Sequence, residues 1–318
     1  MLRGGRGPAV VDLSVLIPVY NNAGTLDELL DRVIAVLDPL GLPFEIVCID
    51  DGSRDESFAI LRRRAAADPR IRPFAMTRNF GSQAASCAAI DRARGRRIVH
   101  LDADLEVFPE DIPRLVEYLD QGYDLVCGYR ETRGGPWLTR RLPSALMNAF
   151  ARRQTGTAIR DIGCSMRAVD MSVARDLAAE GEARRLLTPV LLRRARRIAQ
   201  VSVRYRPTPG GGGHSFLTLL AIASDYFMHT TRRPFLVTGL VSAAAGMLGV
   251  VMLVVRPRVP GLILVGFSAL GLLVSLLGEY VQRIYELGQG IPFYKLRELD
   301  DDLPAVRDRS SSGTAKHA

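Results

Sequence analysis

From residue 12 to about residue 205 the apolar positions follow two alternating rhythms. Short runs rich in Val, Ile and Leu at residues 13–19, 44–49, 98–101 and 125–127 predict buried strands. Between them, residues 26–37, 57–67, 83–93 and 112–119 place apolar side chains at helical spacing. Strand–helix alternation at these intervals predicts an α/β domain whose mostly parallel sheet is covered on both faces. On such sheets ligands bind outside the carboxyl ends of the strands.

The rhythm changes in the last third. Residues 234–255 and 259–277 carry no charge, and each is close to the roughly 20 residues that cross a hydrocarbon core. Only Arg256, Pro257 and Arg258 separate them, so the pattern predicts a transmembrane hairpin spanning residues 234–280. The alternative is a buried helical hairpin in a soluble protein. Gly239, Gly246, Gly249, Gly261, Gly266 and Gly271 suit close helix packing in a membrane. Arg232, Arg233, Arg283, Lys295 and Arg297 flank the hairpin on its open side, opposed by the two turn arginines. That bias predicts a cytoplasmic N-terminal domain on an inner membrane. Residues 210–233 read as a Gly-rich loop followed by an interfacial helix at 216–229, or alternatively an ordinary core helix. Residues 1–11 lack an apolar signal stretch and are expected to be disordered. Residues 281–318 read as a cytoplasmic segment ending in a polar, Ser-rich, disordered tail.

Polar clusters sit at three strand ends: Pro18-Val19-Tyr20-Asn21-Asn22, Asp50-Asp51-Gly52-Ser53 and Asp102-Ala103-Asp104. In a parallel sheet all three converge on one rim. Two carboxylates spaced i, i+2 behind an apolar run suit a hard divalent cation beside a diphosphate, although Asp-x-Asp also occurs in plain turns. The formal net charge of +8 favours an anionic partner, such as a membrane surface or a phosphorylated ligand, over solvated arginine faces alone. The basic residues lack interleaved aromatics, so nucleic acid is not an expected partner. Cys48, Cys87, Cys127 and Cys164 show no zinc-ligand spacing and read as apolar fillers in a reducing compartment.

Together these motifs resemble glycosyltransferase family 2. The residues that carry the likeness are Ser14-Val15-Leu16-Ile17-Pro18-Val19-Tyr20-Asn21, Asp50-Asp51-Gly52-Ser53-Arg54-Asp55, Arg78-Asn79-Phe80-Gly81 and Leu101-Asp102-Ala103-Asp104-Leu105. With the two apolar spans they resemble the polyprenyl-phosphate glycosyltransferases, over roughly residues 12–298. The segments 161–168 and 278–285 are most similar to the 4-deoxy-4-formamido-arabinose transferases within that group. The resemblance implies a GT-A nucleotide-sugar domain at 12–209 and inverting transfer from a nucleotide-diphosphate sugar, a UDP-sugar first, to a polyprenyl phosphate. It also admits a homo-oligomer. Asp102 and Asp104 would hold Mg²⁺ or Mn²⁺, with Asp104 the direct ligand and Asp102 nearer the ribose or the metal's water shell. Pro18, Tyr20, Asn21, Asp50, Asp51 and Arg78 match nucleotide-binding positions; Asp51 also reads as a turn-forming cap. Asp161 and Asp104 match catalytic positions. For Asp161 the roles of base, metal-side positioning and pairing with the nearby Arg160 or Arg167 stay open beside a helix cap or salt bridge. Arg130, Ser144 and Arg206 match positions that meet the acceptor phosphate, where arginine suits bidentate binding.

The chain departs from the family twice. Residues 209–216 place four glycines and His214 where relatives carry Gly-x-Ser-Lys-Tyr-Ser, and Glu106-Val107-Phe108-Pro109-Glu110 replaces Gln-Asp-Pro-Pro-Glu. A glycine run presents backbone N–H groups to phosphate, or forms a loop that orders on donor binding. Trp137, the sole tryptophan, lies outside any Gln-x-x-Arg-Trp motif, which argues against a processive synthase. Two other readings remain: a transferase acting on a non-lipid acceptor, and a non-catalytic membrane scaffold.

Overall fold

A computed structural model describes residues 11–131, 152, 159–175, 187–206, 266, 269–274, 276–278, 280–281, 284 and 294–297. Seven strands form one sheet: β1 Leu13–Val19, β2 Phe44–Asp50, β3 Ile71–Ala75, β4 Arg97–His100, β5 Leu125–Arg130, β6 Arg167–Asp170 and β7 Ile198–Val203. Among the described residues up to 206, the α-helices that accompany them are α1 Ala23–Leu37, α2 Ser57–Ala67, α3 Ser82–Arg92, α4 Ile112–Asp120, α5 Met171–Ala174 and α6 Leu187–Arg194. The strand order is β3-β2-β1-β4-β6-β5-β7. All neighbours are parallel except β6, which runs against both β4 and β5. The α/β architecture and mostly parallel sheet are therefore as expected, with one reversed strand added.

Alternation along the strands splits the core into two layers. Leu13, Val15, Ile17 and Val19 face a cluster with Leu26, Leu29, Leu30 and Val33 of α1 and Leu115 and Leu119 of α4. Leu16, Val47 and Ile49 face the other way, onto Ala84, Ala85, Ala88 and Ala89 of α3. The α1 positions recur at i, i+3, i+4 and i+7, the stripe that seats a helix on a sheet. The small side chains of α3 let its backbone approach the sheet closely. All four cysteines are buried, with no disulfide among them.

At the amino end of the sheet buried charge is neutralised. Arg97 pairs with Asp12 and Asp120, and Arg96 with Asp12. Burial raises the Asp12 carboxyl, but the two guanidiniums together hold it below its usual range. Glu45 accepts from the Ser14 hydroxyl at 2.7 Å and from Arg72 at 2.6 Å. The carboxyl end is built differently.

Among the described residues no helix is long and apolar enough to cross a membrane. The first expected span lies outside those residues, as do the N-terminal ten residues, the 210–233 segment and residues 298–318; of the second span, residues 266, 269–274 and 276–277 are described.

Candidate active site

The cleft forms where β1 loses a neighbour. β1 pairs with β4 only as far as Leu16 opposite His100, with Leu101 N donating to Leu16 O. Its pairing with β2 runs on to Val19 opposite Asp50. Pro18 sits just past the parting, where its missing N–H leaves no ladder bond unmade. A cleft of about 270 Å³ opens there, lined by Pro18, Tyr20, Asp51, Asn79, Asp102 and Asp104 among others. The three polar strand ends do meet on one rim.

Two loops frame this rim. Asn21 N donates to Ser53 Oγ at 3.0 Å, and Asn21 Oδ1 accepts from Arg54 N at 2.9 Å. Asn21 achieves this with φ of 54°, which asparagine tolerates. Its side chain therefore staples the β1 and β2 loops, and Asn22 rather than Asn21 lines the cleft. Asp51 accepts from Phe80 N at 2.7 Å and Gly81 N at 2.8 Å, binding the 78–81 loop to the end of β2. Gly52, at φ +71°, lies against that loop so closely that a Cβ would fall 2.8 Å from Arg78 C and Asn79 N. Arg78 is exposed and stacks on Phe80, 4.1 Å from the ring centroid.

One acidic residue of the rim is incompletely satisfied. Asp50 is 4% exposed, and its Oδ1 has no hydrogen-bond partner among the described residues. Burial pushes both Asp50 and Asp51 upward. Asp104 is pushed up to about 6, chiefly by burial, with the Asp102 and Glu106 carboxylates adding to the rise. Its Oδ1 accepts from Glu106 N at 3.0 Å across Leu105, a non-glycine at φ 57°. Among the described residues none of Asp50, Asp51, Asp102 and Asp104 has an ion-pair partner. The carboxylates at the other end of the sheet are paired.

Behind this rim, His100 is buried between Ser86 Oγ at 2.8 Å and Ser165 O at 3.0 Å, and burial lowers its pKa. Arg130, the last residue of β5, grips Asp161: Nε to Oδ2 is 2.7 Å and Nη2 to Oδ1 is 3.1 Å. Both side chains are under a tenth exposed. Arg130 also lies 5.1 Å from the Tyr205 ring centroid. Val107 bridges Tyr205, and Arg206 N donates to Glu106 O at 2.8 Å. An unbroken set of contacts thus runs from Asp104 through residues 106–107 and 205–206 to Arg130 and Asp161. Arg206 itself is exposed two residues from the Asp104 side of this seam, and Ser144 lies outside the described residues.

The glycosyl transferase family 2 model matches residues 14–178, from the start of β1 to beyond α5. The chain belongs to glycosyltransferase family 2. An undecaprenyl-phosphate 4-deoxy-4-formamido-L-arabinose transferase of Pseudomonas paraeruginosa is 38% identical over 320 residues, covering 94% of each chain. One of Edwardsiella ictaluri is 35% identical, covering 90% of this chain and 94% of its own. Among solved structures, the glucosyl-3-phosphoglycerate synthase of M. tuberculosis is 18% identical. It aligns over 69% of this chain and 81% of that one with a TM-score of 0.49.

In this glycosyltransferase, then, Pro18, Tyr20, Asp51, Asp102 and Asp104 share one cleft, with Asp50 buried beside it. Arg130 and Asp161 form a second cluster, held as a pair. The partner is Arg130, 31 positions away, and not Arg160 or Arg167, the arginines near Asp161 in sequence. Asn22, Asn79 and Ser82 also line the cleft, outside the expected set. Asn22 and Asn79 belong to the quoted motifs, and Ser82 opens α3.

Proposed function

We propose that the enzyme transfers a sugar, with inversion, from a UDP-sugar to a polyprenyl phosphate on the cytoplasmic face of the inner membrane. The observation that carries the donor half is the rim of four carboxylates that have no ion pair among the described residues, in a protein of net charge +8. Within it, Asp50 Oδ1 is buried with no hydrogen-bond partner among the described residues, and such an acceptor calls for a donor that arrives with a ligand. Asp50 Oδ1 is an acceptor for a nucleobase imino N–H. Tyr20 and Arg78, both exposed at the rim, supply an aromatic face and a cation for base and diphosphate.

The donor set fits Mg²⁺ or Mn²⁺. Asp102 and Asp104 offer only hard oxygen ligands, and the raised Asp104 lies where negative charge is crowded. Among the described residues no three His, Cys, Asp or Glu side chains gather at one point. The remaining ligands would therefore come from the diphosphate and water. A bound cation would neutralise the charge that develops on the leaving nucleotide.

A phosphate monoester acceptor has its second pKa near 6 and is largely ionised at neutral pH, so it needs little help from a base. This favours a positioning role for Asp161, which holds the Arg130 guanidinium in a fixed plane. Arg206, carried beside Glu106, is a second cation for the acceptor. In-line attack by the phosphate oxygen, opposite the departing diphosphate, gives inversion.

Three observations support the acceptor and the membrane. The relatives that match over nine-tenths of the chain are named for undecaprenyl phosphate. Arg206 and Tyr294 both touch the domain, Arg206 through Glu106 and Tyr294 through Asp91. A segment whose two ends are held by one domain crosses a bilayer an even number of times, which suits two spans. Finally, Leu270, Leu272, Val274, Leu277, Val281 and Ile284 are helical and each more than half exposed. An apolar surface of that kind calls for a lipid or protein cover.

The donor half is tested by titrating UDP into the purified full-length protein with Mn²⁺. Saturable binding that EDTA abolishes is expected; binding indifferent to EDTA would remove the metal from the reaction.

A further inference from the structure

The C-terminal residues that come back to the domain do so at a particular place. Leu296 bridges Met76 in antiparallel fashion, one residue past the end of β3. Thr77 N donates to Lys295 O at 3.0 Å, and Arg297 N to Ala75 O at 2.7 Å. Tyr294 Oη donates to Asp91 Oδ2 on α3 at 2.6 Å, across 203 positions of sequence. Tyr294 and Leu296 rest on the apolar layer that contains Met76 and Phe80. β3 is the outer strand on this side of the sheet, so residues 294–297 extend its edge, just past its carboxyl end, through an isolated bridge.

Thr77 is also the first residue of the loop that walls the cleft. Asn79 and Gly81 line the cleft, and Phe80 and Gly81 hang on Asp51. The loop therefore has two anchors. One is the Asp51-Gly52 turn at the end of β2. The other is a segment from the far side of the proposed membrane hairpin. A loop held at both ends is ordered before its ligand arrives, and ligand binding then need not order it.

We propose that residues 294–297 form a strap that positions the 77–81 loop for the nucleotide, so that donor affinity depends on a segment beyond the membrane hairpin. The proposal rests on the cleft being the donor site. It gives the return of the chain a purpose beyond covering a sheet edge: the part of the protein that holds the membrane also sets the geometry in which the water-soluble donor is bound. An edge cover alone would leave donor affinity untouched.

The test uses two full-length variants. Leu296→Asp removes the apolar seat, and Arg297→Pro removes the N–H that Ala75 O accepts, with Arg297→Ala as its control for the lost guanidinium. Leu296→Ile serves as the conservative control, and Tyr294→Phe is the milder variant should Leu296→Asp not fold. UDP affinity with Mn²⁺ and amide hydrogen exchange across residues 77–81 are read together. If the strap positions the loop, UDP Kd and donor KM rise about tenfold, with acceptor KM and kcat within about twofold. Exchange at 77–81 becomes faster, and Leu296→Ile behaves nearly as wild type. Unchanged Kd and donor KM in folded Leu296→Asp and Arg297→Pro would overturn the strap while leaving the donor site intact. A wild-type chain that binds no nucleotide overturns the donor-site reading first, and the strap's role with it.

Discussion

At the scale of single residues, Asp104 is the most telling group. Its folded pKa of about 6 lies above the ordinary carboxyl value of 3.8, so ionising it costs stability. The cost grows as pH rises between those values and is complete above about 6. Asp104→Asn removes that cost while keeping an acceptor for Glu106 N. The metal-free variant should therefore melt a few degrees higher than wild type at pH 7.5, and no higher near pH 4. It should also lose both turnover and the stabilisation that Mn²⁺ gives wild type. Differential scanning with and without Mn²⁺, beside a turnover assay, checks all three; a variant still stabilised by Mn²⁺ would remove Asp104 as a ligand. Asp161 calls for a different experiment. Its carboxylate is buried against Arg130, so Asp161→Asn leaves a buried guanidinium without its counter-charge and should cost about 3 kcal/mol of stability. A residue serving only as a base would lose activity with an unchanged melting temperature. Most of the cleft residues are readable from the motifs alone, because each lies in a short polar run directly behind an apolar strand. The pairing of Arg130 with Asp161 is not, because the residues are 31 positions apart and meet only in the folded chain.

At the scale of elements, legibility depends on contrast. The strands at 13–19, 44–49, 98–101 and 125–127 are dense apolar runs, and each reappears within a few residues. β3 gives no such signal because Arg72 and Pro73 interrupt it, which an outer strand tolerates. β6 is only four residues long, and it reverses direction, which no local pattern encodes. β7 does alternate, with Ala199, Val201 and Val203 buried, but Gln200 and Ser202 between them weaken the signal. Element packing also makes Gly52 the most constrained glycine at the rim. Gly52→Ala forces a Cβ into the backbone of Arg78 and Asn79 at a positive φ. UDP affinity should fall about tenfold, with a loss of roughly 1–2 kcal/mol in stability. Titration and denaturant unfolding check the two effects separately, and unaltered affinity would detach the 78–81 loop from the nucleotide.

At the scale of the whole molecule, the sheet separates its work. Its amino end neutralises charge with arginine pairs that stabilise the fold. Its carboxyl end leaves acidic groups open to a ligand. The domain holds the chain at Arg206 and again at Tyr294, which predicts that both flanks of the intervening segment face the same side of a membrane. Single cysteines placed in a Cys-free background at positions 206 and 295 should be labelled by an impermeant maleimide to equal extent, and only in inside-out vesicles. Labelling of the two from opposite sides would exclude a two-span hairpin.

The most direct test of the proposed reaction is turnover. Full-length protein in detergent would be incubated with Mn²⁺, undecaprenyl phosphate and a panel of UDP- and GDP-sugars, and the lipid fraction read by mass spectrometry. One UDP-sugar should yield a polyprenyl-phosphate sugar, with UDP released in equal amount and none of either from Asp104→Asn. Sugar transfer only to a non-lipid acceptor, or no product from any donor while UDP still binds, would contradict it.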